Sequence, residues 1–460
     1  MMSPEQLRLI HEAGLRVLAR TGMVFRDEQA CALFAHHGFA VDGLRVTMTP
    51  EQVHAGLATI PGFFTLEARD PSRDLLFGAE GLVVTSGAGP ALIVDGQGAR
   101  PATDADLVTS IKLAHMLPNL DMVGFPLEPQ DVPAAERYAR CVHRALTLTD
   151  KPLEYALSTA EHVRIALDTS EIIYGSGWHE RLRLFAVVNT VSPLQLEADA
   201  CAAVMELARR NQAVCVTPCA MGGTTAPVTV AGLVVLQHAE TLAGLVLAQL
   251  VRPGCPVVYG GFSSLASMVS GDPLFGIPEY WAAMTATVEL ARSLGLPCRA
   301  GAAITDAHVP DMQAGIESAA GMASVIQAGV NFILHGAGIL SALNAISFEK
   351  LVIDDEMVGM LRILRTGFPV DEESTAVDVI DHVGTGGNYL LEDHTAAHCR
   401  DNQRPSFFNR RRYDAWQQHG GRDIVSEAAR QVQARLEAFS APDLDPTTRR
   451  QLDEYLLTDR

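Results

Sequence analysis

From Leu182 to Phe262 the chain reads LRLFAVVNTVSPLQLEADACAAVMELARRNQAVCVTPCAMGGTTAPVTVAGLVVLQHAETLAGLVLAQLVRPGCPVVYGGF. Three short, unbroken apolar runs (LRLFAVVNT, AVCVTPC, PVVYGGF) alternate here with two longer segments of helical periodicity. A continuous apolar run marks a strand whose outer face is covered by helices, so the passage reads as strand, helix, strand, helix, strand in a parallel sheet. The rhythm continues in both directions. LVVTSG, DMVGFPL and PLEYALS precede the passage and PCRAGAAI and NFILHGAG follow it, each ahead of a helical segment, giving eight βα units from about Leu82. Eight repeats of roughly 35 residues predict an α/β fold, a closed (β/α)8 TIM barrel. A doubly wound open sheet shares the grammar, but no strand is followed by GxGxxG, and the glycine-rich ends are spread over many strands.

The flanks read differently. Residues 1–78 are assigned to an N-terminal helical and β cap: EQLRLIHEAGLRVLART repeats apolar residues at helical spacing, and TPEQVHAGLATI opens with a threonine cap before Pro and Glu. The barrel is assigned to 79–370. Beyond Asp371 the βα rhythm gives way to charged helical sequence, and 371–460 are read as a helical extension packing on the barrel.

With 460 residues and 48% hydrophobic content the chain can bury a large core. Acidic residues outnumber basic ones by 54 to 35, and a net charge of −19 makes nucleic acid and anionic lipid poor partners. The basic run Arg410 to Arg412 reads as a solvated face. The N-terminal MMSPEQLRLIHEAGLRVLAR does not resemble a signal peptide. The longest apolar stretch, Ala231 to Val251, carries Gln237, His238, Glu240 and Gln249, which favours a buried helix over a membrane span. A cytoplasmic protein is expected. Its eight cysteines show no CxxC spacing and read as small buried hydrophobes; Cys215 and Cys219 are the nearest pair. His394 and His398 stand four apart, but Thr395 occupies the place where HExxH needs glutamate, so no metal of the protein's own is expected. Lys112, Lys151 and Lys350 all lie outside the strand centres, which leaves Schiff-base chemistry without a nucleophile, and there is no GxSxG elbow.

In a barrel the segments after the strands converge on one mouth. Here they are TSGAGP, GFPLEPQD, NTVSPL, PCAMGGTTAP, YGGFSS, AAITDAHVPD and HGAG, rich in Gly, Ser and Thr and poor in Lys and Arg. The set lacks the basic residues of a phosphate site and suits a large planar group that approaches the backbone closely. His335 ends the eighth strand and is read either as a site residue or as a satisfied structural histidine. Asp306 and Asp311 bracket His308; Asp311 reads as a helix cap, while Asp306 is open to either role. Tyr259 and Phe262 flank a glycine pair, and aromatic faces attract quaternary ammonium groups.

SPLQLEADA, CAMGGTTAPVTVAG, HAETLAGLVLAQLVRPGCPVVYGG, TDAHVPDMQAG, HGAGIL and FEKLVIDDEMVGML resemble, in order and spacing, the trimethylamine methyltransferase family, and the likeness runs from HEAGLRVL to RRRYDAWQQHGG. The resemblance implies a barrel that docks a corrinoid-binding protein over its mouth, that protein supplying the cobalamin-type cofactor. Archaeal members carry pyrrolysine just before a TDAKVPD-like run, and here Ile304 stands in that slot. An aliphatic side chain cannot form an amine adduct, so the chain resembles the branch without pyrrolysine, whose members act on glycine betaine and related betaines. The function this implies is transfer of a methyl group from a quaternary amine to Co(I) of the corrinoid protein. The alternative is a quaternary-amine binding or sensing protein that performs no transfer. By the same analogy Tyr259, Phe262, His335, Asp306 and Glu240 are assigned to substrate, and Gly260, Gly261, Gly336 and Gly338 to close approach of the corrinoid; no catalytic residue is assigned. A homo-oligomer is expected.

Overall fold

The structure, a computed structural model, describes residues 2–401 and 406–457. All eight apolar runs are strands of one parallel barrel. They are β1 (Val83–Val84), β2 (residues 122–123), β3 (Glu154–Ala156), β4 (Phe185–Asn189), β5 (Ala213–Thr217), β6 (Val257–Gly260), β7 (Cys298–Gly301) and β8 (Phe332–Leu334). Seven form a continuous sheet from β3 through β8 to β1. The short β2 closes the ring, bridging Thr85 of the first run through Met122 and Leu153 of the third through Val123. The outer ring is α1 (Asp104–Met116), α2 (Ala134–Leu148), α3 (Ala160–Tyr174), α4 (Ala198–Arg209), α5 (Val230–Val251), α6 (Pro278–Ser293), α7 (Met312–Ala328) and α8 (Phe348–Thr366).

Because side chains alternate along a strand, each apolar run serves two cores. Phe185, Val187, Ala213, Cys215, Val258, Phe332 and Leu334 point inward and form one cluster. Ala186, Val188, Val214, Val216, Val257 and Tyr259 point outward into the larger cluster shared with the helices. A hairpin of Phe63–Leu66 and Leu75–Gly78 closes the N-terminal end of the barrel. Its Phe77 stacks on Phe185, with centroids 4.9 Å apart, and Phe185 meets Phe332, also at 4.9 Å. The barrel is therefore solid below and open only at its C-terminal end.

Helix α5 is the one described helix long and apolar enough to cross a membrane, and 78% of its most apolar window is buried inside the protein. Its surroundings explain the composition: strands on one side, and the N-terminal helix Pro4–Arg20 and the helix Pro50–Leu57 on the other. The N-terminal region holds more than the sequence indicated. Strands Met23–Phe25, Ala40–Asp42 and Arg45–Thr47 form a small sheet that Gln195–Leu196, from the loop after β4, completes. After α8, helices Ile424–Ala438 and Pro446–Leu457 pack back on α8 and α1 and on α2 and α3. Short helices lie between α8 and Ile424, and Phe368, Val370, Leu390 and Leu391 there are largely exposed.

Candidate active site

At the open end, residues from all eight strand ends surround one cavity of about 410 Å³, within the range of small-molecule sites. Ala88 and Gly89 follow β1 and Phe125 follows β2. Glu154 and Ala156 belong to β3, Val187 and Asn189 to β4, Thr217 to β5, Arg299 to β7 and Leu334 to β8, and Phe262 and His335 lie just past β6 and β8. Tyr138 of α2 and His162 of α3 wall one side, their rings stacked 3.6 Å apart.

Two buried charges dominate this space. Glu154 is fully buried and neither of its carboxylate oxygens has a hydrogen-bond partner. Burial pushes its carboxyl up to about 7, against the attraction of Arg299. A Cβ on Gly124 would lie 2.8 Å from Glu154 Oε2, so that glycine leaves the carboxylate its room. Arg299 is also fully buried. Its Nη1 donates to the Gly261 carbonyl at 3.0 Å, its Nη2 faces His335 Nδ1 at 3.5 Å, and its Nε has no partner. The guanidinium lies 4.6 Å over the Phe262 ring. An isolated buried charge is expensive, and its persistence needs a stabilising neighbour or a ligand.

Phe262 and His335 stack with centroids 4.8 Å apart, and Phe275 stacks on Phe262 at 5.4 Å. Burial, with Arg299 beside it, drives His335 down to about 3, so the ring is neutral at physiological pH. His335 adopts φ 63°, a left-handed backbone that a non-glycine residue holds only where its surroundings enforce it. Both residues are pinned from behind. Gln237 of α5 accepts from the Phe262 and Ser263 amides, and Asp354 of α8, paired with Lys350, accepts from the Gly338 amide.

The structure redistributes the other residues assigned from sequence. Tyr259 does not line the cavity: alternation on β6 turns it outward, where its hydroxyl meets His238 Nδ1 at 2.6 Å. Glu240 lies behind the wall, accepting from the Thr190 and Ser192 hydroxyls and the Leu194 amide, and so fixes the loop after β4. Asp306 accepts from the Phe275 and Gly276 amides and positions the ring that stacks on Phe262. Asp311 caps α7. The four glycines given to the corrinoid are packed against protein. A Cβ on Gly260 would meet Thr217 Oγ1, on Gly261 the Gln237 side chain, on Gly336 Val84 and on Gly338 Ile346, all at 3.0 Å or less. Open space occurs instead at Gly89, which has φ 90° and nothing within 4 Å of where a Cβ would stand. Ile304 is fully buried in the apolar core and is not part of the cavity wall.

Sequence reasoning passed over Glu154, Arg299, Phe125 and Tyr138. The first two had a signal: each is the lone charge inside an otherwise apolar strand, in PLEYALS and PCRAGAAI. Tyr138 had none, because it reaches the cavity from an amphipathic helix whose inward face becomes visible only once the barrel is closed.

The trimethylamine methyltransferase family model matches residues 1–460 of this chain. The glycine betaine methyltransferase of Desulfitobacterium hafniense (strain Y51) is 34% identical, covering 99% of this chain and 96% of that protein. Trimethylamine methyltransferase MttB2 of Methanosarcina mazei is 31% identical, covering 97% and 92%. Among solved structures, the monomethylamine methyltransferase of Methanosarcina barkeri has a TM-score of 0.55 at 10% identity, covering 95% of this chain and 88% of that one, a likeness of fold.

Proposed function

Because the chain belongs to the trimethylamine methyltransferase family and is a methyltransferase for a methylated amine, we propose that its donor is a quaternary amine, glycine betaine or a related betaine, and its acceptor the Co(I) of a corrinoid carried by a partner protein. The observation that carries this reading is the cavity wall at Glu154, where an unpartnered buried carboxylate stands in a pocket walled by Phe125 and Tyr138. Carboxylates and aromatic faces are the two groups that attract a cation with no N–H to donate. When the C–N bond of a quaternary amine breaks, its electron pair stays on nitrogen and a neutral tertiary amine leaves, so no proton has to be delivered. The corrinoid contributes the electron pair that forms the new carbon–cobalt bond. What remains for this chain is to hold the methyl group in line with the mouth and to keep water away. Gly89 offers the open approach at the rim. Ile304, at the slot that the resemblance gives to pyrrolysine, offers no group to trap a tertiary amine.

Eight free cysteines support a reducing, cytoplasmic setting. The exposed apolar residues between Leu364 and Leu391 support self-association. The test is to mix the purified protein with free cob(I)alamin and, in turn, glycine betaine, proline betaine, carnitine, γ-butyrobetaine, choline and trimethylamine, and to follow the loss of the Co(I) spectrum. Methylcobalamin forms with at least one quaternary amine and not with trimethylamine. Methylation from trimethylamine alone would overturn the donor assignment, and binding of a quaternary amine without transfer would identify a sensing protein.

A further inference from the structure

Glu154 and Arg299 are not a salt bridge. Both sit low in the barrel at matching levels, Glu154 in register with Phe185 and Arg299 with Phe332, the two rings that touch beneath the cavity. Their strands, β3 and β7, are four apart in a ring of eight and so face each other across the barrel. The cavity therefore has a negative wall and a positive wall. Each feels the other's attraction across the cavity without touching it, and each leaves hydrogen-bonding capacity unused: both oxygens of Glu154 and the Nε of Arg299.

The two walls differ in the ligand group they fit. No donor reaches the Glu154 carboxylate: the Thr85 hydroxyl near the Gly124 gap and the Tyr138 hydroxyl are themselves unpartnered, and the Phe125 and Tyr138 rings beside it suit a bulky cation that donates no hydrogen bond. Arg299 is oriented by Phe262, the Gly261 carbonyl and His335, so its planar fork is preorganised for a bidentate acceptor. Phe262 has a protein cation over its face already, which moves the ammonium away from it and toward Phe125 and Tyr138. We propose that Arg299 and Glu154 read the substrate as a zwitterion, Arg299 holding its carboxylate and Glu154, with Phe125 and Tyr138, its quaternary ammonium. This rests on reading the cavity as a quaternary-amine site and adds which side chain reads each end of a betaine.

The test is calorimetric titration of the full-length protein with glycine betaine and with choline, which shares the trimethylammonium head but ends in a hydroxyl. Glycine betaine binds about 10- to 100-fold more tightly, the worth of charge-assisted hydrogen bonds at one end. Arg299→Lys removes most of that preference and leaves choline nearly unchanged, whereas Glu154→Gln weakens both ligands. Titration at pH 7 in buffers of different ionisation enthalpy also reads proton release, because a cation beside a carboxyl held at about 7 expels its proton. Release occurs with the wild type and vanishes in Glu154→Gln. Equal affinity of the wild type for the two ligands, or a Glu154→Gln variant that binds both as tightly as the wild type, overturns the assignment while leaving methyl transfer from quaternary amines standing. Binding of neither ligand overturns both. Should Arg299→Lys fail to fold by circular dichroism, the wild-type preference and the Glu154→Gln titration decide alone.

Discussion

Phe125 and Phe262 are both aromatic, both about 7% exposed and both in the cavity wall, yet their faces do different work. Phe262 carries the Arg299 guanidinium, with His335 and Phe275 stacked against its ring. Phe125 meets Tyr138 and Tyr155 edge-on on the side of Glu154. Replacing Phe125 by Leu keeps an apolar side chain and removes the aromatic face, so affinity for betaine and choline should both fall, by about 3- to 30-fold. Phe262→Leu loosens Arg299 instead and should weaken betaine more than choline. Titration of the two variants with the two ligands checks the pattern, and equal losses in all four cases would sink it. The same scale shows where sequence reading stops. Tyr259 and Phe262 are three apart and look like a pair, but strand alternation sends the first outward, and only the second turns into the mouth. The glycines beside them are conspicuous for packing reasons: Gly260 lets β6 lie against Thr217, and Gly261 makes room for Gln237.

Helix α5 shows how an element can be read correctly and still withhold its purpose. Its polar residues mark it as a core helix, and each proves to be a fastening. Gln237 holds the Phe262 loop, Thr241 donates to the Gly260 carbonyl, Glu240 holds the loop after β4, and His238 joins Tyr259 to His11 of the N-terminal helix. None of these partners is within helical spacing, so none was legible beforehand. His238 is fully buried and, by that burial and with His11 beside it, is held down to about 3. A histidine whose folded value lies below its unfolded value near 6.5 binds protons preferentially in the unfolded chain, so its contribution is complete above about 6.5 and is lost as pH falls toward the folded value. Glu154 and Asp355, raised to about 7 and about 6, act in the opposite sense over part of the same range. The clean measurement is therefore a difference. Urea unfolding from pH 7.5 to 5 should show wild-type stability falling, relative to His238→Asn, by up to about 1.4 kcal/mol per pH unit below 6.5. Parallel curves would show that His238 does not titrate between the folded and unfolded states.

At the scale of the molecule, the barrel was legible because parallel strands buried on both faces leave unbroken apolar runs, and eight such runs admit few closures. The parts outside that rhythm were not. The plug hairpin and the hairpin after β1 (Leu92–Asp95 with Gly98–Pro101) are short, and the partners of the latter in Ala345–Ile346 and of Met23–Phe25 in Gln195–Leu196 are distant in sequence. The exposed apolar residues of the segment after α8, Phe368 and Leu391 at 83% and 94% exposure among them, belong to this scale too. Light scattering should return a multiple of the 49.3 kDa chain mass; a monomer at micromolar concentration would leave those side chains without the partner that self-association assigns them.

The facing charges of β3 and β7 also bear on what happens after the reaction. On the proposed reading the reactant meets the negative wall with its positive end and the positive wall with its negative end, and loss of a methyl group leaves a nitrogen that is neutral at the moment of transfer. The attraction to Glu154 then lapses until the tertiary amine takes up a proton, and until that protonation the demethylated acid is held by Arg299 alone. On that reading the step that spends the methyl group exchanges a fixed positive charge for one that depends on a proton.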